Sequence, residues 1–292
     1  MNKERIVLAY SGSLASSAAI AWLLERHGAD VVALTVDVGQ TEDLEEVRAR
    51  ALACGALRAH VVDVRDAFAR DYVVPALAGA AVDAESWRRL ADPLIASTLA
   101  EIAAIESADA IAHAAAGDET SERAAALDAA LAAAAPALRL VAPAREWQMD
   151  AGRLADYARA RSLPGTLDRP QSNLLIRRAG DPARAPEAPA HLNFVFEAGV
   201  PVSLNGVPMT LVELIESVSL IAGQYGVGYG TPHPAPAAIV LRAAYGAAGG
   251  NDAAVRLSLR PGTYKIEMGS EVIYRGHSGV ADPPLAAGVL DK

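Results

Sequence analysis

The first 165 residues alternate between short apolar runs and segments in which apolar residues recur at helical spacing. The apolar runs are rich in Val, Ile and Ala. Strands that alternate with helices pair in parallel through right-handed crossovers, so the pattern predicts an α/β domain with a doubly wound parallel sheet. One intervening helix is predicted to begin after Thr41 as its cap and to end near Ala53. The predicted strands are 6–9, 31–36, 59–64, 110–112 and 138–141.

Three segments follow predicted strands directly, namely 11–17, 37–40 and 113–117. In doubly wound sheets, ligands bind beyond the carboxyl ends of the strands. We therefore expect these three segments to meet at one edge of the sheet and to form a single ligand site.

The pattern changes after residue 165. Prolines and arginines with little periodicity predict a linker or extended loop over 166–190. Beyond it, the dipeptides Ala198-Gly199 and Asn205-Gly206 predict turns, and Thr210 begins a helix over 211–225 in which Glu213 completes a capping box. The sequence thus predicts a first domain over 1–165 and an α+β domain over 191–292. The further predicted strands are 191–197, 200–204, 237–241, 254–259, 263–268 and 271–274.

Composition narrows the function classes. The net charge of −9 and the scattered basic residues argue against nucleic acid as a partner. The single cysteine, Cys54, excludes an internal disulfide and a cysteine metal cluster, and no metal site is predicted. The chain shows no signal-peptide pattern at its start and no charge-free run of about 20 apolar residues. These features predict a cytoplasmic protein that does not bind a membrane.

The segment Ser11-Gly12-Ser13-Leu14-Ala15-Ser16-Ser17 carries the clearest chemistry. A strand, a loop of small residues and a helix start together direct backbone N–H groups, hydroxyls and the helix dipole at an anion. The loop lacks the Walker pattern and the spaced glycines of dinucleotide folds. Phosphate binding is favoured here, and an ordinary strand–helix turn with a serine cap is the alternative.

This loop resembles the PP-loop of the N-type ATP pyrophosphatases, Ser-Gly-Gly-x-Asp-Ser, with Ser13 in place of a glycine and Ala15 in place of the aspartate. Further segments resemble the argininosuccinate synthase family and run in the order of that family over most of 5–230. They are 6–12, 32–40, 42–48, 68–77, 93–96, 110–113, 142–147, 211–216 and 221–228.

The resemblance implies an adenine nucleotide alpha hydrolase-like N-terminal domain and a synthetase-like C-terminal domain. Members of the family join citrulline to aspartate while splitting ATP into AMP and pyrophosphate, so ATP and Mg²⁺ are the implied cofactors. The nucleotide-binding positions that the resemblance implies are Ala9, Tyr10, Ser11, Gly12, Ser13, Ser16, Ser17, Thr35, Asp37 and Gly117. By residue type alone, Asp37 could equally be a cap.

The segments that hold substrates in the family differ here. In the loop after His113 only Gly117 remains of the glycines, and acidic residues follow it. The family's citrulline segment reads 84–95 here and lacks its tyrosine, glycine, threonine and arginine. The alternative to a substrate-binding role is a core role for His113 and simple solvent exposure for the charged residues. The candidate substrate-binding residues are Trp87, Arg88, Arg89, His113, Asp118, Glu119, Thr120 and Asn173.

Two functions remain open from the sequence. The first is an ATP-dependent, AMP-forming ligase with altered small-molecule substrates, an amino acid among the candidates, acting in a secondary pathway. The second is a catalytically inactive relative kept as a binding or partner protein. The retained nucleotide segments favour the ligase, and Ala15 with the changed substrate segments favours the inactive protein. A homo-oligomer also remains open.

Overall fold

The computed structural model describes residues 3–79, 84–115, 122–147, 149–165, 172–231, 234–268 and 271–276. The chain divides into two compact units, Met1–Ile176 and Arg177–Lys292. Each unit has its own sheet and core, and each is described by itself.

Unit 1 contains a parallel sheet of five strands within its described residues, in the order β3-β2-β1-β4-β5. The register places Val7 beside Val32 on one side and beside Ile111 on the other. All five predicted strands and the doubly wound parallel sheet are confirmed. The strands are β1 Arg5–Ala9, β2 Asp30–Asp37, β3 Arg58–Asp63, β4 Ala110–His113 and β5 Arg139–Val141.

The strand order of unit 1 reverses between β1 and β4. The chain moves outward from β1 to β2 and β3, and then returns to the other side of β1 with β4 and β5. In open α/β sheets, such a reversal leaves a crevice at the carboxyl ends of the two central strands. The loop after Ala9 and the residues Ala114 and Ala115 after His113 border this crevice, and the rest of the predicted segment 113–117 lies outside the described residues.

Helices connect the strands of unit 1, and apolar residues of α1 and the central strands form its core, with Ile6, Leu8, Ile20 and Leu23 fully buried. The helices are α1 Leu14–His27, α2 Leu44–Ala53, α3 Arg65–Phe68, α4 Val74–Ala78, α5 Ala84–Arg89, α6 Asp92–Ile105, α7 Glu122–Ala134, α8 Pro143–Glu146 and α9 Ala151–Ala160, with a π-helical turn Ala69–Val73 between α3 and α4.

The predicted cap of α2 is wrong. The helix begins at Leu44, and its cap is Asp43 rather than Thr41. The Asp43 carboxylate accepts hydrogen bonds from the N–H groups of Glu45 at 2.9 Å and Glu46 at 3.2 Å. An acceptor has to lie two or three residues before these N–H groups, and Asp43 meets this requirement whereas Thr41 lies too far upstream.

A buried carboxylate, Glu106, follows α6 near the amino-terminal ends of β1 and β3. Glu106 is only 4% exposed. It accepts hydrogen bonds from Arg58 at 2.6 Å and His60 at 2.7 Å, and Arg5 lies 3.8 Å away. Burial acts to raise the pKa of Glu106, but the hydrogen bond from His60 and the charge of Arg58 outweigh it, so the pKa lies below its ordinary value.

Glu106→Gln is expected to lower the free energy of unfolding by about 1–3 kcal/mol at neutral pH, because the cations lose a charged acceptor but are exposed enough to recover some hydration. Since the pKa of Glu106 is lowered in the folded state, its contribution is present above the ordinary value of 4.5 and is lost as the pH falls through the lowered value. Urea unfolding at neutral and acid pH measures both effects.

The matched control for this test is Glu101→Gln, because Glu101 is an exposed carboxylate on α6, the helix that Glu106 follows. The expectation is contradicted if the two variants have equal unfolding free energies at neutral pH, or if the deficit of Glu106→Gln persists unchanged in acid.

Unit 2 contains an antiparallel sheet of six strands within its described residues, in the order β11-β10-β9-β6-β7-β8. The hairpin around Ala198-Gly199, the turn Asn205-Gly206 and the capping box of Thr210 with Glu213 are confirmed. The predicted mixed fold class is therefore confirmed for the second unit as well. Its elements are β6 Ala190–Glu197, β7 Val200–Leu204, β8 Val207–Pro208, α10 Leu211–Gln224, α11 Pro236–Ala248, β9 Ala253–Arg260, β10 Thr263–Met268 and β11 Glu271–Gly276.

The strand predicted over 237–241 is wrong, because these residues belong to α11. Pro236 occupies the first turn of this helix and Gly249 ends it in the left-handed conformation, with φ 65°. Both are helix-boundary signals. A short apolar run does not by itself distinguish a strand from a buried helix, so the boundary residues should have decided the assignment.

The segment 166–190 includes ordered structure where it is described. Residues 166–171 lie outside the described residues, and Leu174, Leu175 and Ile176 are buried. A 3₁₀ turn follows at Pro182–Arg184. None of the described helices is both long and apolar enough to cross a membrane.

Candidate functional site

The loop between β1 and α1 gathers three serine hydroxyls at the start of a helix. Gly12 has φ 73°, a left-handed conformation that lets the backbone turn out of the strand. Ser13 caps α1, since its Oγ accepts a hydrogen bond from the N–H of Ser16 at 3.2 Å. Ser11 Oγ donates to Ser13 Oγ at 3.0 Å, and Ser16 Oγ donates to the Ser13 carbonyl at 3.0 Å. The result is a hydroxyl cluster at the positive end of the helix dipole.

Several other predicted binding residues lie in the core beneath this loop or in the adjoining strands and hold it in place. Tyr10 and Ser17 are buried, and their side-chain oxygens lie 3.0 Å apart. Thr35 Oγ1 donates to the Tyr10 carbonyl at 2.9 Å, which ties β2 to the loop. Burial raises the pKa of the Cys54 thiol, which adjoins Ser17 and Tyr10, so this cysteine stays a neutral core residue. Ala9 ends β1 and pairs with Leu34 and His113 in the sheet.

Gly165 approaches the same loop from a distant part of unit 1. It has φ 134°, and a Cβ built on it would lie 2.9 Å from the Leu14 nitrogen and 3.2 Å from the Ser13 carbonyl carbon. Only a residue without a side chain fits at this position. Gly165 was not predicted as a site residue, because the contact joins residues that are far apart in the sequence.

Asp37 at the end of β2 shapes the next loop. Its Oδ1 accepts a hydrogen bond from the Gly39 N–H at 2.8 Å, and its Oδ2 lies 3.4 Å from the Nε of Arg65. The Arg65 guanidinium also donates two hydrogen bonds to Asp63, and these bonds, with a third from the Arg65 backbone N–H, hold the pKa of Asp63 below its ordinary value. The carboxylate of Asp37 thus organises the loop, and a ligand would have to share it with these partners.

His113 lies at the end of β4 and is 1% exposed. Its Nδ1 accepts a hydrogen bond from the Ala115 N–H at 3.1 Å, so Nε2 carries the proton and donates to Asp128 Oδ1 at 2.7 Å. Arg145 donates to the same oxygen at 2.7 Å. These bonds fix the start of the loop that leaves β4. No sequence signal pointed to Asp128, whereas Arg145 lies in a segment with family resemblance.

Asn173 and Trp87 are joined within unit 1. Asn173 is 3% exposed, and its Oδ1 accepts hydrogen bonds from the N–H groups of Leu175 at 2.8 Å and Ile176 at 2.9 Å. Its Nδ2 donates to the carbonyl of Trp87 at 3.3 Å. The amide of Asn173 is therefore engaged by backbone groups, and Trp87 is buried.

The remaining predicted substrate residues are less defined. Arg89 lies on α5 with its Nε 4.0 Å from Asp92. Arg88 is on the same helix, and its side chain lies outside the described residues, as do Gly117, Asp118, Glu119 and Thr120.

The loop 11–17 can bind an anion by its chemistry, but it offers no carboxylate to a metal ion. Hydroxyls and N–H groups at a helix N-terminus suit a phosphate chain. Protein-bound Mg²⁺ takes one or two carboxylates together with phosphate oxygens, and the loop 11–17 contains no carboxylate. Among the described residues, no group of three or more His, Cys, Asp or Glu side chains could hold a metal ion.

Comparison with known proteins gives matches along both units. Residues 5–164 match the family model of the arginosuccinate synthase N-terminal HUP domain, and 163–230 match that of the arginosuccinate synthase C-terminal domain. An argininosuccinate synthase of Streptococcus gordonii is 38% identical over 256 residues, covering 78% of this chain and 63% of the relative. One of Pelotomaculum thermopropionicum is 39% identical over 253 residues, covering 77% and 63%.

The chain thus spans less than two thirds of the length of the curated relatives that it matches. The N-terminal match alone covers more than half of the chain and contains the loop 11–17 and all five strands of the parallel sheet. The predicted family resemblance is confirmed, and the chain belongs to the argininosuccinate synthase family.

Proposed function

We propose that this protein is an ATP-dependent, AMP-forming ligase with altered substrates, which joins an amine to an adenylated ureido or carboxyl group in a secondary pathway. The observation that carries the proposal is the hydroxyl cluster of Ser11, Ser13 and Ser16 at the helix start beside the sheet crevice. In this proposal residues 1–165 bind the nucleotide, 166–190 form a linker or extended loop, and 191–292 form a synthetase-like α+β domain. The substrates are small molecules and the setting is cytoplasmic.

The residues of the loop would act on the phosphate chain. ATP, when bound, supplies an adenylyl group that makes the oxygen of the first substrate a leaving group, with pyrophosphate and then AMP released. Ser11 and Ser16 hydroxyls and the N–H groups at the start of α1 would hold the phosphates that depart. Buried Tyr10, Ser17 and Thr35 would keep this cradle rigid. The loop 11–17 itself offers no carboxylate for Mg²⁺.

Altered substrates are supported by the segment that in the family binds citrulline. Trp87 replaces part of that segment and is buried, with its carbonyl bound by Asn173. Neither the Trp87 nor the Asn173 side chain is therefore exposed for a polar contact with a substrate. A substrate recognised here would therefore use groups other than those of the family pattern.

A catalytically inactive binding protein is the second candidate, and two observations favour it. The Ser13 cap already satisfies the N–H of Ser16, and the Gly165 backbone comes so near the helix start that a Cβ on it would lie 2.9 Å from the Leu14 nitrogen. Both contacts compete with phosphate for the helix start. An inactive relative would keep the fold and a surface that binds a partner, and that partner could be a second copy of this chain. It would release no pyrophosphate.

Calorimetric titration with ATP in the presence of MgCl₂ tests the proposal. We expect saturable binding that weakens at least about tenfold in a Ser11→Ala/Ser16→Ala variant, because two hydrogen bonds to a charged group are lost. Ser97→Ala is the control, since the Ser97 hydroxyl donates to the Leu94 carbonyl within α6, away from the loop 11–17.

Pyrophosphate release then separates the two candidates. The ligase releases pyrophosphate with some acid and amine of a substrate panel, and the inactive protein releases none with any pair. Absence of ATP binding at millimolar concentration overturns the ligase.

A further inference from the structure

Unit 2 contains a groove that the proposed function does not use. Its volume is about 440 Å³, which is in the range of small-molecule sites. The polar side chains that line it are Arg178, Arg184, Gln224 and Tyr229, together with Asp181. All of them belong to unit 2.

The backbone that carries the two arginines is held firmly on the end of α10. The N–H of Gly180 donates to the Gly223 carbonyl at 2.8 Å. A Cβ on Gly226 would lie 2.8 Å from the Gly180 carbonyl oxygen and 2.9 Å from the Pro182 Cδ, so these backbones approach as closely as glycine permits. These contacts hold in place the backbone that carries Arg178 and Arg184.

The charge of the groove is opposite to that of the whole chain. The formal net charge is −9, yet Arg178 and Arg184 are exposed, and neither guanidinium forms an ion pair or hydrogen bond with another described residue. The neighbouring Arg177 differs, because it lies 3.4 Å from Glu216. Asp181 is partly engaged, since its Oδ1 accepts a hydrogen bond from the Ala183 N–H at 2.9 Å.

Gln224 and Tyr229 add neutral hydrogen-bond donors and an aromatic ring to the lining of the groove. Gln224 ends α10 and contributes an amide, and Tyr229 contributes a hydroxyl and a ring that is 53% exposed. Two guanidinium groups with an amide and a hydroxyl form a set of mostly donors, which matches carboxylate or phosphate oxygens.

We propose that this groove binds a small oxyanion with two negative charges, carried by carboxylate or phosphate groups. One guanidinium pairs with each charge or both share a single phosphoryl group, and the ring of Tyr229 shields one side from water. None of the residues of this groove lies in the loop 11–17 of unit 1.

Titration of the full chain with malonate and, separately, with inorganic phosphate tests the proposal. Because phosphate could also bind at the loop 11–17, the phosphate titration is repeated on the Ser11→Ala/Ser16→Ala variant. We expect saturable binding of at least one probe, weakened at least about tenfold by Arg178→Gln and by Arg184→Gln singly.

Arg256→Gln is the matched control, because it removes the same charge from an exposed arginine of β9, which hydrogen-bonds Asn193 outside the groove. Thermal unfolding verifies that each variant is folded. Selective binding of malonate identifies a dicarboxylate as the ligand class, and selective binding of phosphate identifies a phosphoryl compound. The proposal is overturned if neither probe saturates, or if both arginine variants bind as tightly as the control.

Discussion

Replacing Ala15 with aspartate is expected to raise the rate of pyrophosphate release from ATP in MgCl₂ by about 10- to 100-fold, the effect of one charge-assisted contact. Ala15 is the second residue of α1 and is half-buried beside the hydroxyl cluster. A carboxylate at this position supplies the ligand type that Mg²⁺ shares with phosphate oxygens, which the loop now lacks. The rate is measured by a coupled pyrophosphate assay with the substrate panel.

The same substitution is expected to stabilise α1. The first turn of this helix contains no acidic residue. A negative charge near the helix N-terminus contributes about 0.3–1 kcal/mol, so the melting temperature should rise slightly.

Ala15→Asn separates charge from shape, because the amide has nearly the same size and carries no charge. We expect Ala15→Asn to raise the rate of pyrophosphate release little at any concentration of MgCl₂. An equal gain in both variants, or no gain in Ala15→Asp while ATP still binds, would show that the missing carboxylate is not what limits the loop.

Gly165→Ala is expected to lower the free energy of unfolding by about 2–4 kcal/mol and to weaken ATP binding. The new Cβ would lie 2.9 Å from the Leu14 nitrogen and 3.0 Å from its Cα, and both are backbone atoms that cannot rotate away. The φ of 134° adds strain for any residue with a side chain. The helix start must shift, and the hydroxyl cluster shifts with it.

Gly28→Ala is the control for backbone strain alone, because Gly28 has φ 60° with nothing within 4 Å of the added Cβ. Gly28→Ala should lower the free energy of unfolding by about 1 kcal/mol and leave ATP binding unchanged. Urea unfolding and calorimetry on both variants give the comparison. Equal losses in the two variants would mean that the close approach at Gly165 has no special effect.

The local sequence pattern was sufficient to predict most of the strands and helices. Short runs of Val, Ile and Ala between helical segments specify strands β1 to β5, because residues in a parallel sheet are buried on both faces. The capping box at Thr210 also uses neighbours only three residues apart, and it formed as predicted. The errors arose where two local signals competed, as at Thr41 against Asp43 and in the apolar run that became α11.

The candidate site was predictable only in part. Ser11, Ser13 and Ser16 could be placed at a helix start from their order along the chain, and the structure places their hydroxyls together. The partners of Asp37 and Asn173 could not be read in this way. Each depends on a contact with a segment that folding brings near, such as Arg65 beside Asp37 and Trp87 beside Asn173.

By itself, the sequence determined the alternation of strands and helices, the chemistry of the loop 11–17 and the absence of its carboxylate at Ala15, because these properties reside in adjacent residues. Only the tertiary structure decided that the Gly165 backbone lies close to the helix start and that the Asp37 carboxylate organises a loop. It also decided that Arg178 and Arg184 share one groove. Such contacts depend on how distant segments pack, and packing is set by the shape and burial of whole elements rather than by any local pattern.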